Sequence, residues 1–454
     1  MSYSGAIDST HIFLPKDELN SPPERLRSLF TLVSKYNSLQ TVKIYEETKD
    51  MFGFPRYYRN FKDLVKEYKD LRSCGGKVDF GIRSTLRSRQ RPVVEQFKEH
   101  VNASKTGFLL VAPTGSGKTV ILLNFLSILG RTALVVVPRE RIVRQWIERA
   151  VEHTTLKESD IGIAQQNRCD FQGKKLVVGM IHSLAKDRYP EEFKQWPGVV
   201  VWDEVHVTSA KTFSKTLSLF PSKYRIGASA TPERADGLEQ AFGLSLAEIT
   251  LQMSGGVEVT PRILMREYLA DRIPGRLSFI RDPLSRRGVI ITALANDLKR
   301  NVLLALYVKK LNDSGRRTLL LSDRKEQLRN IRDILISRYG FKNEDIGIFI
   351  GGVNDAEAKR ILENSPIVLA TYGVASMAVD VPDLSGLVFG TPLSRVTQPV
   401  GRILRRHGGK KQPIVVDLID LTYRETRWWA NQRKKDYVSL GADLTKVSSK
   451  PRNS

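Results

Sequence analysis

The sequence predicts an α/β fold: two tandem doubly wound parallel sheets, a small N-terminal α+β domain and a short basic C-terminal segment. Three observations carry this. Apolar runs of four to six residues alternate with helical patterns over residues 108–228 and again over 296–418, as buried parallel strands joined by crossover helices do. The 454 residues, 41% hydrophobic, exceed what one core holds and suit two to four domains. Residues 112–119, Ala-Pro-Thr-Gly-Ser-Gly-Lys-Thr, lie between an apolar strand and an apolar helix, the setting of a phosphate-binding loop.

In chain order, residues 1–80 are expected to form the small domain. Ile12-Phe13-Leu14-Pro15 and Val42-Lys43-Ile44-Tyr45 read as strands. Residues 24–36, with Leu26, Leu29, Phe30 and Val33 on one face, and residues 61–71 read as helices. Residues 51–59 interleave aromatics with arginines. Such a mixture either stacks on bases and pairs with phosphates or fills the domain's core. Cys74-Gly75-Gly76-Lys77 reads as a linker.

Residues 81–254 are expected to be the ATP-binding domain. A helix opens near Pro92, and strands are predicted at 108–111, 133–138, 176–180, 199–202 and 224–228. Residues 255–423 repeat the alternation without a phosphate loop: helices at 296–311 and 325–339, strands at 318–321, 346–350, 367–370 and 386–389, and 413–418 closing the sheet. Residues 262–295, with Arg272, Arg276, Arg281, Arg286 and Arg287, read as a basic insertion. Residues 424–454 are expected to be a basic helix and tail. Two tryptophans, Trp428 and Trp429, stand there among basic residues and can stack on bases or pack against the second domain.

The phosphate loop gives the first chemistry. Thr114, Gly115, Ser116 and Gly117 would turn backbone N–H groups onto phosphate oxygens at a helix N-terminus. Lys118 reaches the terminal phosphates, and the Thr119 hydroxyl is a Mg²⁺ ligand. Gln90 could read an adenine edge through paired hydrogen bonds. Asp203 and Glu204 end a four-residue apolar strand, where an acidic pair holds Mg²⁺ (Asp203) and orients or deprotonates the attacking water (Glu204). In Gln398-Pro399-Val400-Gly401-Arg402-Ile403-Leu404-Arg405, the two arginines share a helix face. Such arginines, reaching across a cleft, stabilise a transferring phosphoryl group.

The ordered set of residues 112–119, Asp203-Glu204-Val205-His206, Ser229-Ala230-Thr231 and Gln398 to Arg405 resembles superfamily 2 helicases over about residues 83–420. The resemblance implies two RecA-like domains that close on ATP with nucleic acid across both. It also implies Gln398 and Asp380 as parts of the ATP site, and Arg139, His182, Ser183 and Thr371 as contacts to the strand. The small N-terminal domain and the Asp-Glu-Val-His core look closest to phage recombination helicases of the UvsW kind, which remodel forks and junctions.

Composition sets the partner class. Lys plus Arg number 72 against 49 acidic residues, a net charge of +23, and residues 402–454 alone hold 13 basic against 5 acidic residues. A polyanion, most simply DNA, follows. Cys74 and Cys169 have neither CxxC nor zinc spacing, which fits a reducing compartment. No run spans a bilayer and no signal peptide is evident. The expectation is a cytoplasmic, monomeric, ATP- and Mg²⁺-dependent DNA helicase or translocase working on forks, junctions or duplex. The alternatives are an RNA helicase, a duplex translocase that leaves strands paired, or an ATP-gated clamp.

Overall fold

The computed structural model describes residues 5–8, 10–19, 21–33, 41–58, 68–113, 115–204, 210–230, 244–253, 260–270, 277, 279–374, 383–404 and 411–447. The chain divides into two compact units, Met1–Ser254 and Gly255–Ser454.

The first unit is built on an eight-stranded sheet. Its order is Arg168–Cys169, Ile161–Gln165, Leu176–Met180, Ala133–Val137, Val199–Asp203, Tyr224–Ser229, Gly107–Val111 and Ile249–Gln252. Every pairing is parallel except the hairpin at Arg168–Cys169. The central strands are buried on both faces: Leu134, Val135, Val136, Val199, Val200 and Val201 are enclosed, which is why they read as unbroken apolar runs. On one face pack helices Arg91–Asn102, Lys118–Leu129 and Glu140–His153; Phe97 stacks on Phe125 with centroids 3.8 Å apart. Helix Lys118–Leu129 stops at Gly130, whose φ of +57° suits glycine.

The N-terminal residues form a second sheet, ordered Glu46–Glu47, Met51–Pro55, His11–Pro15, Gly5–Ile7 and Tyr68–Asp70. Two expectations are corrected here. The helix read over 24–36 runs only over Pro23–Leu29, because the β-branched stretch Thr31–Val33 pairs with Thr41–Lys43 instead. Residues 68–70, read as the end of a helix, are a strand parallel to Gly5–Ile7; residues 61–67 lie outside the described residues. The aromatics of residues 51–59 that are described form the core: Phe52, Phe54 and Tyr57 are buried, and so is Arg56. Arg56 donates to the carbonyl oxygens of Ser222 (2.8 Å) and Lys223. The 74–77 stretch is no free linker: it is strapped to the first unit's sheet, with Gly75 at φ +60° against Gly198 and Thr132.

The second unit has a seven-stranded sheet, all parallel: Ile346–Phe349, Ile367–Thr371, Arg317–Ser322, Leu384–Phe389, Ile414–Asp420, Arg262–Tyr268 and Asp443–Val447. Strand Ile414–Asp420 therefore does not close the sheet. Residues 262–268, read as part of a basic insertion, are a strand: Ile263 and Met265 enter one core, Leu264 packs against the core on the other face, where Arg266 donates to Tyr307 OH at 3.2 Å, and Arg262 is exposed. Helix Pro283–Ala295 buries Ile290, Ile291 and Leu294 against Trp429. The C-terminal helix Arg424–Ser439 and strand Asp443–Val447 pack into this same unit.

Gly107 shows how the N-terminal sheet is seated. A Cβ there would fall on the Tyr57 ring, and the Tyr57 amide donates to Leu244 O at 3.0 Å. Gly107→Ala is expected to cost about 1–3 kcal/mol of stability in urea unfolding and to speed hydrogen exchange over Met51–Pro55. Unchanged exchange there would mean that Tyr57 does not hold the two sheets together.

Candidate functional site: a phosphate loop facing an acidic strand end

In a parallel sheet all strands end on one edge, so loops distant in sequence meet there. Strand Gly107–Val111 delivers the loop of residues 112–117 to this edge, and strand Val199–Asp203, two places away, delivers the acidic pair. Gly115 and Gly117 have φ of +82° and +80°, and Gly117 is the N-cap of helix Lys118–Leu129. A Cβ on Gly117 would strike the Gln90 amide. Gln90 is buried; its side chain accepts from Arg87 N (2.9 Å) and donates to Ser116 O (2.8 Å), bracing the loop from beneath.

Lys118 Nζ lies 2.6 Å from Glu204 Oε1 and 3.9 Å from Asp203 Oδ1. Asp203 Oδ2 accepts from Trp146 Nε1 at 2.9 Å, whereas its buried Oδ1 has no hydrogen-bond partner. Burial pushes the Asp203 carboxyl above the usual carboxylate range; Lys118 pulls it back and Glu204 adds to the rise. Glu204 itself sits at φ +55°, a strained left-handed conformation for this residue type. Lys118 thus faces two crowded carboxylates, and the Asp203 oxygen on its side, Oδ1, has no hydrogen-bond partner. Carboxylate oxygens of this kind suit a hard divalent cation.

Not every expected residue joins this cluster. Thr114, Asp380 and Arg405, and the side chains of Gln398 and Arg402, lie outside the described residues, as do His206 and Thr231. His182 is exposed on the short helix Ile181–Leu184, Arg139 is the N-cap of helix Glu140–His153, and Thr371 ends strand Ile367–Thr371 half-buried. Two of the expected strand contacts are corrected. Ser183 is buried and accepts a hydrogen bond from Gln166 N at 3.0 Å, so it shapes the turn from inside. Trp429 is buried among Leu277, Ile290, Ile291, Leu294 and Tyr423, with the Arg287 guanidinium 5.7 Å from its ring. Trp428 remains 53% exposed.

Sequence reading missed the support beneath helix Thr397–Ile403, which carries Gln398 and Arg402. Asp436 accepts from Val396 N at 2.8 Å and pairs with Arg395 at 3.0 Å. Arg433 donates to Leu393 O at 2.6 Å and pairs with Asp417 at 2.7 Å, on the oxygen that also accepts from Tyr437 OH at 2.9 Å. The signal was the spacing of Arg433, Asp436 and Tyr437 on one helix face.

Comparison with known proteins agrees with this geometry. Residues 83–234 match the family described as Type III restriction enzyme, res subunit. Two relatives align over most of the chain. One is the putative ATP-dependent RNA helicase L396 of Acanthamoeba polyphaga mimivirus, 28% identical over 91% of this chain and 79% of that protein. The other is the DNA 3'-5' translocase XPB2 of Sulfurisphaera tokodaii, 26% identical over 85% of this chain and 88% of that protein. Among solved structures, the DNA-bound Type ISP restriction-modification enzyme LlaBIII superposes with a TM-score of 0.55 at 14% identity, covering 82% of this chain and 32% of that one. T4 UvsW aligns over 99% of this chain and 100% of its own at 17% identity, with a TM-score of 0.39. The two parallel-sheet units are thus RecA-like. Residues 83–234 resemble a ResIII helicase domain, and the two relatives aligned over most of the chain carry helicase and translocase names.

Two outcomes follow from these contacts. Asp203→Asn keeps an acceptor for Trp146 and relieves the competition for Lys118. It is expected to stabilise the nucleotide-free protein by about 1 kcal/mol in urea unfolding. The wild-type carboxyl, held above its unfolded value, takes up its proton first in the folded state. Its penalty therefore falls as pH is lowered through that interval and is full above it, and the Asn variant loses that pH dependence. Asp436→Ala leaves the Val396 N–H without its acceptor and is expected to cost about 1–3 kcal/mol. Asp436→Asn recovers part of that loss, read by the same unfolding curves.

Proposed function

We propose that this chain is a helicase that hydrolyses ATP at the Lys118–Asp203–Glu204 cluster and uses it to move along and remodel DNA at forks, junctions or duplex. The carrying observation is one lysine set between two carboxylates beside a glycine turn at a helix N-terminus. Lys118 binds the terminal phosphates, and backbone N–H groups of Gly115, Ser116 and Gly117 cradle them. Helicases of this family use ATP, usually with Mg²⁺. Asp203 and Thr119 would hold Mg²⁺, which would neutralise charge on the phosphates. Phosphate arriving at Lys118 frees Glu204 from its 2.6 Å ion pair to accept a proton from the attacking water. Gln398, Arg402 and Arg405 stabilise charge on the transferring phosphoryl group in this reading.

DNA is favoured over RNA by the likeness to a DNA translocase over 85% of the chain; the basic balance of +23 fits either polyanion. The likeness to L396, whose name says RNA helicase, makes RNA the reading to test against. Among the described residues no helix is long and apolar enough to cross a membrane.

The test is ATP hydrolysis without nucleic acid and with single-stranded RNA, single-stranded DNA, duplex, fork and four-way junction. Stimulation by forks or junctions well above linear duplex is the expected result, and stimulation by RNA alone overturns the DNA assignment. Lys118→Ala and Glu204→Gln are each expected to lower turnover by at least about 100-fold while leaving most DNA affinity. Loss of DNA binding in both variants removes the assignment of these residues to hydrolysis.

A further inference from the structure

Helix Arg424–Ser439 is divided along its length. Thr426, Trp429, Ala430, Arg433, Asp436 and Tyr437 face the core. Arg424, Arg427, Trp428, Lys434, Lys435 and Val438 are exposed. At 100° per residue these six fall within an arc of about 120° and extend over about 21 Å of helix axis. The helix has two acidic residues, and both are engaged elsewhere: Glu425 pairs with Arg286, and Asp436 accepts from Val396 N and pairs with Arg395. The exposed stripe therefore holds four cations, an exposed indole and no carboxylate. Among the described residues none of those four cations forms an ion pair with a carboxylate.

We infer that this stripe is a binding site for a single nucleic-acid strand, separate from the ATP site. The four cations track successive phosphates and the Trp428 indole stacks on an unpaired base. The partner is a polyanion because the stripe carries only positive charge, and a single strand because a half-exposed indole needs an unstacked base face. The opposite face of the helix is fixed by the Arg433–Asp417 and Asp436–Val396 bonds, so the stripe is presented on a rigid support without an ordering cost. The site rests on the nucleic-acid reading of the whole chain and adds to it a place and a strand type.

The experiment uses the full chain and a fluorescein-labelled 30-nucleotide oligodeoxythymidylate, read by anisotropy across a salt series. Parallel arms carry the matching duplex and oligouridylate. The charge variant replaces Arg424, Arg427, Lys434 and Lys435 by Gln, which keeps helix propensity. It is expected to reduce the magnitude of the salt slope of log affinity by about 3. Trp428→Ala is expected to weaken single-strand binding about 5- to 100-fold with the slope unchanged, and Trp428→Phe to restore most of it. Duplex affinity falls in the charge variant and not in Trp428→Ala. The oligouridylate arm tells whether the stripe separates DNA from RNA. Melting curves confirm that the variants fold, which their exposure favours. Wild-type binding with unaltered slope and affinity in both variants overturns the stripe alone. Failure of the wild-type chain to bind any oligonucleotide overturns the nucleic-acid reading with it.

Discussion

The first unit's chemistry depends on a charge imbalance: one lysine shared by two carboxylates in a place where charge is costly. Lys118 sits 2.6 Å from Glu204 and 3.9 Å from Asp203, and burial raises the Asp203 pKa in spite of that cation. A packed fold does not need this arrangement, since replacing buried charges with apolar groups is often neutral or stabilising. It persists because the sheet imposes it. Parallel strands Gly107–Val111 and Val199–Asp203 end at the same edge, so a loop lysine and a strand-end acidic pair are brought together by topology. Glu204 at φ +55° shows the same constraint in the backbone.

Elsewhere in the first unit, two buried guanidiniums are hydrogen-bonded to backbone carbonyl oxygens. Arg56 donates to carbonyl oxygens of Ser222 and Lys223, and Arg225 to those of Ser245, Leu217 and Phe220. Burial lowers the pKa of both guanidiniums, to about 10 and about 9. Carbonyl dipoles at the end of helix Ala210–Leu219 and its following turn solvate these guanidiniums. Because Arg56 comes from the N-terminal sheet and its acceptors from the sheet edge, these bonds also fix where the N-terminal residues sit on the first unit.

Legibility in the sequence followed burial on both faces. Ala133–Val137, Leu176–Met180, Val199–Asp203 and Ile367–Thr371 are enclosed on each side, so nearly every residue is apolar and the run announces itself. Strands toward the sheet rims were not legible. Arg262–Tyr268 has apolar residues only at 263–265 between charged ones, and it was read together with the arginines of residues 272–287 as an insertion. Asp443–Val447 and Ile249–Gln252 carry polar residues because one side of each is open at a sheet edge. The candidate site was the most legible part, since glycine at positive φ and a lysine before a hydroxyl leave few other uses. The deficit lay in side chains whose direction depends on packing: Ser183 and Trp429 point inward, and nothing in their spacing alone separates them from His182 and Trp428.

The C-terminal helix resolves a contradiction in composition. Its segment is strongly basic, yet Arg433 is fully buried and paired with Asp417. A hydrophobic pair there would fill the same space, but it would leave Leu393 O without the donor that Arg433 supplies; Asp436, on the same helix, likewise supplies the acceptor for Val396 N. The polar groups are therefore retained for the geometry of that loop, which sets the start of helix Thr397–Ile403. The charge outside has a different physics. Arg424, Arg427, Lys434 and Lys435 are solvated and satisfy no buried group, so the fold does not require them. The same helix thus carries two populations of charge that composition counts together: an inner set fixed by hydrogen-bond demand, and an outer set that solvent satisfies.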